Sequence, residues 1–187
     1  MRMRERGPIV LPWALGALFL AGIVHISSVL LMPSFAQNDA YARLGGRSNG
    51  LTALPDASVA QSMPYQDQQA EYSVCHYDLD LGATRVRSNV TADALVAISF
   101  HDRTGRIFYS TTDRAALRGR IDVRLLTPRQ LDTVEASDPE DQTPQELRLT
   151  PPTQTGFVLV RALIEQPGGR PAARQAANAV ICQAERE

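Results

Sequence analysis

The feature that most narrows what this chain can be is a run near its N-terminus, Ile9 to Met32, in which His25 is the sole ionisable side chain. At a rise of about 1.5 Å per residue, about 20 apolar residues cross the hydrocarbon core of a bilayer as a helix. A transmembrane anchor is therefore expected over 9–32. Arg2, Arg4 and Arg6 precede it against a single Glu5, and the excess of positive charge on the cytoplasmic side of a span sets residues 1–8 inside and everything after Met32 outside. Trp13 suits the headgroup region at the inner boundary, and Pro33, having no N–H, is expected to end the helix. In a bacterium this describes an inner-membrane protein, in contact with the bilayer through its helix, with its C-terminal domain in the periplasm. A second reading stays open. Ser34-Phe35-Ala36 before Gln37 offers small residues at the two positions a signal peptidase reads, so the chain could instead be secreted to the periplasm after cleavage following Ala36. The run is longer than the roughly 7–15 residues of a signal h-region, which favours the retained anchor. His25, beside Ser27 and Ser28, reads as a neutral residue in the outer third of the span.

A chain of 187 residues less that segment has room for one domain of about 100–150 residues. Its 19 basic and 20 acidic side chains leave a formal net charge of -1, without the broad positive field that a nucleic-acid partner requires. Residues 33–67 carry Gly45-Gly46, Asn49-Gly50, Pro55 and Pro64 and read as a linker and irregular segment. A short helix over Asp39–Leu44, capped by Asn38 or Asp39 and stopped at Gly45, is the one element expected there. The folded domain is expected to begin near Gln68 and occupy 68–187.

Within it, strand signals recur over Glu71–Leu79, Thr84–Ser88, Ala94–His101, Arg106–Thr111, Gly119–Leu126, Glu146–Thr150 and Gly156–Ile164. Such a series predicts a mainly β fold, a single antiparallel β-sandwich or barrel-like domain with one or two short helices. Asp102-Arg103-Thr104-Gly105 has Asp first and Gly fourth, the signature of a type I turn joining two of these strands. Val96, Ile98 and Phe100 share one face, Ala97, Ser99 and His101 the other. Ile121, Val123 and Leu125 alternate with Asp122 and Arg124, as on a strand with one wet face. Phe157–Ile164 is apolar on both faces apart from Arg161 and should be central. Thr127, Pro128 and Gln130 form the start of a helix with a capping box, its Leu131 and Val134 facing the sheet and its end set by Asp138-Pro139. The Ala-rich stretch Pro171–Glu187, with Cys182 in it, is expected to be helical.

Two cysteines, Cys75 and Cys182, stand near the two ends of a domain read as exported, where disulfides persist. A bridge between them would close a loop of about 100 residues and contribute about 4–5 kcal/mol in the chain-entropy model. Two buried thiols are the alternative. No metal or other cofactor is expected, because His76 and His101 are the only histidines in the domain and no short-spaced ligand pair accompanies them. Nucleophile elbows, His-Glu-x-x-His and phosphate-cradling glycine loops are absent from the sequence. What remains is a scatter of polar residues on predicted strands: His76, Ser99, His101, Asp102, Tyr109 and Arg161, of which His76, His101, Tyr109 and Arg161 are the candidates for a cleft. His101 and Asp102, adjacent on a strand, should point to opposite faces, which weakens them as an oriented base. Glu135, Asp138, Glu140 and Asp141 lack the spacing of a calcium loop and read as a solvated cluster. Arg114, Arg118, Arg120 and Arg124 read as edge-strand charge that discourages strand addition.

The layout resembles small membrane-anchored members of the domain of unknown function (DUF) family 1254. The resemblance rests on Asn38-Asp39-Ala40-Tyr41 after the anchor, Cys75-His76-Tyr77-Asp78-Leu79, and Ile98-Ser99-Phe100-His101-Asp102 with Gly105 and Phe108-Tyr109. It extends to Asp113-Arg114-Ala115, and to Asp138-Pro139-Glu140-Asp141 with Pro144-Gln145-Glu146-Leu147. Leu95 stands where that family would carry a large aromatic. Longer members fuse this β domain to a second one, which implies that a short member pairs with a partner protein carrying the second. The family brings no established activity. The expected function is thus a non-catalytic binding or accessory domain. The rivals are a periplasmic hydrolase built on His76 or His101, and a structural subunit of a membrane assembly packed through Gly16, Ala17, Ala21 and Gly22.

Overall fold

The computed structural model describes residues 7–35, 40–44, 50–53, 67–89, 95–116, 119–139 and 144–185. They fall into two compact units, Met1–Gln37 and Asn38–Glu187. The first is helix α1 (Gly7–Phe35). Its stretch Val10–Met32 is long and apolar enough to cross a membrane, and a signal sequence near the N-terminus has the same character. The helix runs two residues beyond Pro33. A proline removes only its own N–H, so the next two residues remain able to donate to carbonyls one turn back, and the helix survives a proline in its last turn.

The second unit begins before Gln68. A short helix α2 (Ala40–Arg43) and a strand β1 (Gly50–Ala53) come from the stretch read as linker, and β1 pairs with the next strand, β2 (Ala70–Asp78), with Leu51 opposite Cys75. After a 3-10 turn at Leu79–Leu81 come β3 (Ala83–Asn89), β4 (Val96–Asp102), β5 (Ile107–Thr112), a second 3-10 turn at Asp113–Ala115 and β6 (Arg120–Leu125). Helix α3 (Pro128–Ser137), β7 (Leu147–Leu149), β8 (Thr155–Leu163), helix α4 (Arg170–Asn178) and β9 (Ile181–Glu185) complete the chain. Five strands form an antiparallel sheet in the order β1-β2-β8-β4-β5, and four form a second sheet in the order β7-β6-β3-β9. The sandwich is thus present, with one departure from pure antiparallel pairing: β6 and β7 run parallel. Parallel neighbours need a crossover, and α3 lies between them in the chain. Thr127 Oγ1 accepts from the Gln130 N–H at 3.2 Å while Gln130 Oε1 accepts from the Thr127 N–H at 2.9 Å, the expected capping box. Leu131 and Val134 are only half-buried, and the helix stops at Asp138.

Strand β8 organises the first sheet. It pairs residue for residue with β2, from Ala70↔Leu163 to Asp78↔Thr155, and with β4, from Val96↔Ala162 to Asp102↔Gly156. Inward from these strands point Cys75, Tyr77, Ile98, Phe100, Val158, Val160 and Ala162, which meet Val86, Ile121, Val123 and Leu125 of the second sheet in one core. Gly156 sits under Tyr77: a Cβ there would collide with the phenol ring and with the His101 carbonyl oxygen, to which the Tyr77 hydroxyl donates at 3.0 Å. Burial pushes the Tyr77 pKa up to about 12, so the phenol stays a donor.

The C-terminal stretch is helical only through Asn178; Ile181–Glu185 is a strand paired with β3, and Cys182 lies in it opposite Val86. Alanines favour helix, but Val180-Ile181-Cys182 adds β-branched side chains that suit a sheet. Cys182 and Cys75 form a disulfide from β9 to β2, with Cα atoms 6.4 Å apart, within the range such bridges require. Next to it α4 inserts Ala173 and Ala177, both 1% exposed, into the core. Buried Glu71, on the inward face of β2, receives Arg170 at 2.5 Å and Arg174 at 3.0 Å, and Ser73 donates to Asn178 Oδ1 at 2.7 Å. The helix thus closes one end of the sandwich with a polar clasp.

On the outer face of the second sheet, register places Arg85 opposite Arg124 and Arg124 opposite Arg148. Like charges directly opposed destabilise a sheet, and four carboxylates separate these. Arg85 forms a fork with Asp122, 2.9 Å at each end, and reaches Glu146 at 3.2 Å. Arg124 lies 2.7 Å from Glu185, and Arg148 engages Glu146 at 3.2 Å and Asp138 at 3.0 Å. Arg124 is therefore an interior, ion-paired residue of β6 and not edge charge. Arg114 and Arg120 are exposed, while Arg118, Glu140 and Asp141 lie outside the described residues.

Two measurements check this packing. Replacing both cysteines by alanine is expected to cost about 2–5 kcal/mol, read as a lower urea midpoint that reductant no longer changes. Gly156→Ala is expected to lose at least about 2 kcal/mol through overpacking against Tyr77, partly recovered in the double variant with Tyr77→Phe, where no hydroxyl remains to collide.

Candidate functional site

The pairing of β2, β8 and β4 lines up His76, Phe157 and His101 as one row on the outward face of the five-stranded sheet. The two imidazoles stand on either side of Phe157, about 10 Å apart by two strand spacings. His101 stacks on the phenyl ring with centroids 4.6 Å apart and planes 11° from parallel; His76 is tilted against it at 6.4 Å. Tyr41 of α2 comes down edge-on to His76 at 5.0 Å, and the Arg103 guanidinium lies 5.7 Å over the Tyr41 ring. The His76 end of the row is thereby covered, and both imidazoles are 8% exposed.

The hairpin fixes the His101 ring. The Gly105 N–H donates to the Asp102 carbonyl at 3.0 Å, and Gly105 takes φ +94°, which glycine adopts without strain. This turns the Gly105 carbonyl onto His101 Nδ1 at 2.9 Å. A carbonyl only accepts, so Nδ1 carries the proton and Nε2 accepts from the Ser99 hydroxyl at 2.9 Å. The same hydroxyl lies 3.3 Å from the Leu159 carbonyl. Both ring nitrogens of His101 are therefore engaged. The Asp102 carboxylate is bonded elsewhere: it accepts from the Thr104 N–H and hydroxyl at 2.9 and 2.6 Å and from the Arg106 N–H and Nε at 2.9 and 3.2 Å. Those bonds hold its pKa below the ordinary value despite burial and keep the turn closed.

Burial lowers the pKa of both histidines. For His76 a hydrogen bond with the Tyr41 backbone opposes it, and for His101 the Gly105 carbonyl and the Asp102 charge do so. Both are neutral in the folded domain at neutral pH.

The other two candidates lie elsewhere. Arg161 shares the outward face but sits four residues along β8, about 13 Å from Phe157, and ion-pairs with Asp67 at 2.6 Å. Tyr109 lies on the opposite, inward face against Phe100, 5.8 Å between ring centroids. Phe157 and Tyr41, which build the row, carry no titratable signal of their own near neutral pH, and sequence reasoning passed over both as site residues. Among the described residues no three His, Cys, Asp or Glu side chains are grouped to hold a metal ion. A neutral imidazole bonded to a serine hydroxyl has the parts of a nucleophile and base, but at i and i+2 on one strand face such a pair meets by pleat alone.

No protein-family model and no curated protein sequence matches the chain. Among solved structures it is similar to an uncharacterised protein from Burkholderia cenocepacia, with a TM-score of 0.50 and 14% identity over 83% of this chain and 39% of that one. It is also similar to the VPA0106 protein from Vibrio parahaemolyticus, with a TM-score of 0.48 and 8% identity over 66% of this chain and 29% of that one. The first likeness extends to the fold alone, and this chain spans well under half the length of either protein.

The histidine row yields a pH dependence of defined sign. With folded pKa values below the ordinary 6.5, the unfolded chain binds protons first as pH falls. Stability is full above about pH 6.5 and declines as pH drops through that value toward the folded pKa. The urea midpoint is expected to be lower at pH 5 than at pH 8, and a His76→Gln, His101→Gln double variant is expected to be less stable at pH 8 with a flatter profile between the two.

Proposed function

We propose that this chain is a non-catalytic accessory domain, held at the periplasmic face of a bacterial inner membrane by α1, whose sandwich binds a second β domain. The observation that carries the reading is the burial of the histidine row: both imidazoles are 8% exposed and lie against Phe157, so neither is open to a substrate proton as a general base must be. The apolar helix and the buried disulfide support an anchored domain in an oxidising compartment. The resemblance to DUF family 1254 supports a second β domain.

The test is recovery of the full-length protein from detergent-solubilised native membranes, with intact-mass analysis of the bait and identification of what accompanies it. An uncleaved N-terminus and a stoichiometric β-domain companion are expected. A solitary bait beginning at Gln37 overturns both the anchor and the accessory role.

The 2.9 Å contact between Ser99 and His101 favours a second reading, a serine hydrolase. Fluorophosphonate labelling of the folded protein that disappears in Ser99→Ala would establish it; an unlabelled Ser99 removes it.

A further inference from the structure

Each sheet of a sandwich has two edges, and an edge left bare is an invitation to another strand. Three of the four here are blunted. Strand β1 has four residues and lies against β9; β9 carries Gln183 and Glu185; β7 has three residues, includes the ion-paired Arg148, and is followed by Pro151-Pro152. Strand β5, Ile107-Phe108-Tyr109-Ser110-Thr111-Thr112, contains no charge and no proline, and β4 is its only neighbour among the described residues. Ile107 is 57% exposed on it.

We propose that β5 pairs antiparallel with β5 of a second copy of this chain, joining two five-stranded sheets across a two-fold axis at Ser110. The proposal deepens the accessory reading by making the second β domain another copy of the first. A two-fold axis perpendicular to a sheet pairs only residues on the same face, because it maps each face onto itself. Pairing with β4 sets those faces: Ile107, Ser110 and Thr112 lie outward with His101, Ser99 and Ala97, while Tyr109 and Thr111 lie inward with Phe100 and Ile98. The register skips Phe108, so β5 holds a bulge, in which two residues oppose one. Centred on Ser110, the symmetric register sets Ser110 against its own copy and Tyr109 against Thr111. Ile107 then meets Thr112 on the outward face, while Phe108 of the bulge turns in against Phe100, and the flanking Arg106 and Asp113 come next to one another. The charged residues that flank the strand on either side, Arg106 and Asp113, thus become opposite-charge neighbours at both ends of the new ladder. Arg106 is available for this, its side chain being 75% exposed even while it touches Asp102 at 3.2 Å.

The experiment uses the full-length protein in native membranes. Cys75 and Cys182 are already bridged, so Ser110→Cys adds the sole thiol, at an exposed position. Directly opposed strand residues lie about 4.5–5.5 Å apart at Cα, which suits a disulfide, and Ser110→Cys is expected to run as a covalent homodimer without reductant. Thr112→Cys, about 13 Å from its copy in this register, is expected to stay monomeric. Arg106→Asp and Asp113→Arg should each lower the cross-linked fraction about fivefold, and the two together should restore it. Equal cross-linking at 110 and 112, or no recovery in the charge swap, overturns the register. A cross-link from position 110 to a different protein overturns self-pairing and leaves the accessory reading standing; no cross-link and no companion in the membrane pull-down removes both.

Discussion

The simultaneous registration of β8 with β2 and β4 is the constraint on which the rest of the domain depends. Every side chain of the five-stranded sheet takes its face from it. One set of rows, with Cys75 opposite Val158 and Val158 opposite Phe100, builds the core; the next, with His76, Phe157 and His101, builds the outward face. A slip by one residue would exchange the two sets, burying two imidazoles in an apolar core and turning Phe100 and Val158 toward solvent. Gly156 helps to exclude that slip. It is the residue under the Tyr77 ring that leaves room for the phenol to reach the His101 carbonyl, and no other glycine lies within β8.

The bridge and the helix clasp then act on the same strand from the other side. Cys75 ties β2 to β9, while Ser73 and Glu71, two and four residues earlier on the same face, are covered by α4 and not by the second sheet. A buried carboxylate is costly unless paired, and Glu71 is held by two arginines one helical turn apart. Burial of Ala173 and Ala177 is what brings those arginines to it. The clasp and the apolar packing of α4 therefore stand or fall together.

Much of this was legible in the residues. Seven strands, the hairpin at Asp102–Gly105, the capped helix at Thr127 and the central position of β8 all follow from local patterns of period two, turn chemistry or capping. The misses share a cause. Strand β1 is four residues beside glycines and prolines, and β9 follows an alanine-rich helix; neither carries enough of its own pattern, and each is a strand because a neighbour with strong pattern, β2 or β3, offers it an edge. The parallel pairing of β7 likewise depends on Leu147 and Leu149 aligning with Val123 and Leu125, which no local signal specifies. At the site, His76 and His101 were legible as polar residues on strands, but their convergence on Phe157 is a property of three strands at once. Tyr109 stands apart from them because the skipped Phe108 changes which residues of β5 face inward.

The two outward faces of the sandwich solve the problem of exposure differently. The second sheet covers its arginine row with Asp122 of β6, Glu185 of β9, Glu146 just before β7 and Asp138 at the end of α3, so the row is ion-paired within the domain. The first sheet covers the His76 end of its histidine row with Tyr41 and Arg103, and leaves β5 at its margin with backbone groups that pair on one side only among the described residues. A flat ionic lattice already neutralised from within offers a partner little to gain, because displacing its internal pairs costs desolvation without adding new charge contacts. An uncharged strand edge offers a ladder of backbone hydrogen bonds at no such cost. On these grounds association is directed to the rim of the first sheet and not to the charged face of the second, although the charged face is the more conspicuous in the sequence.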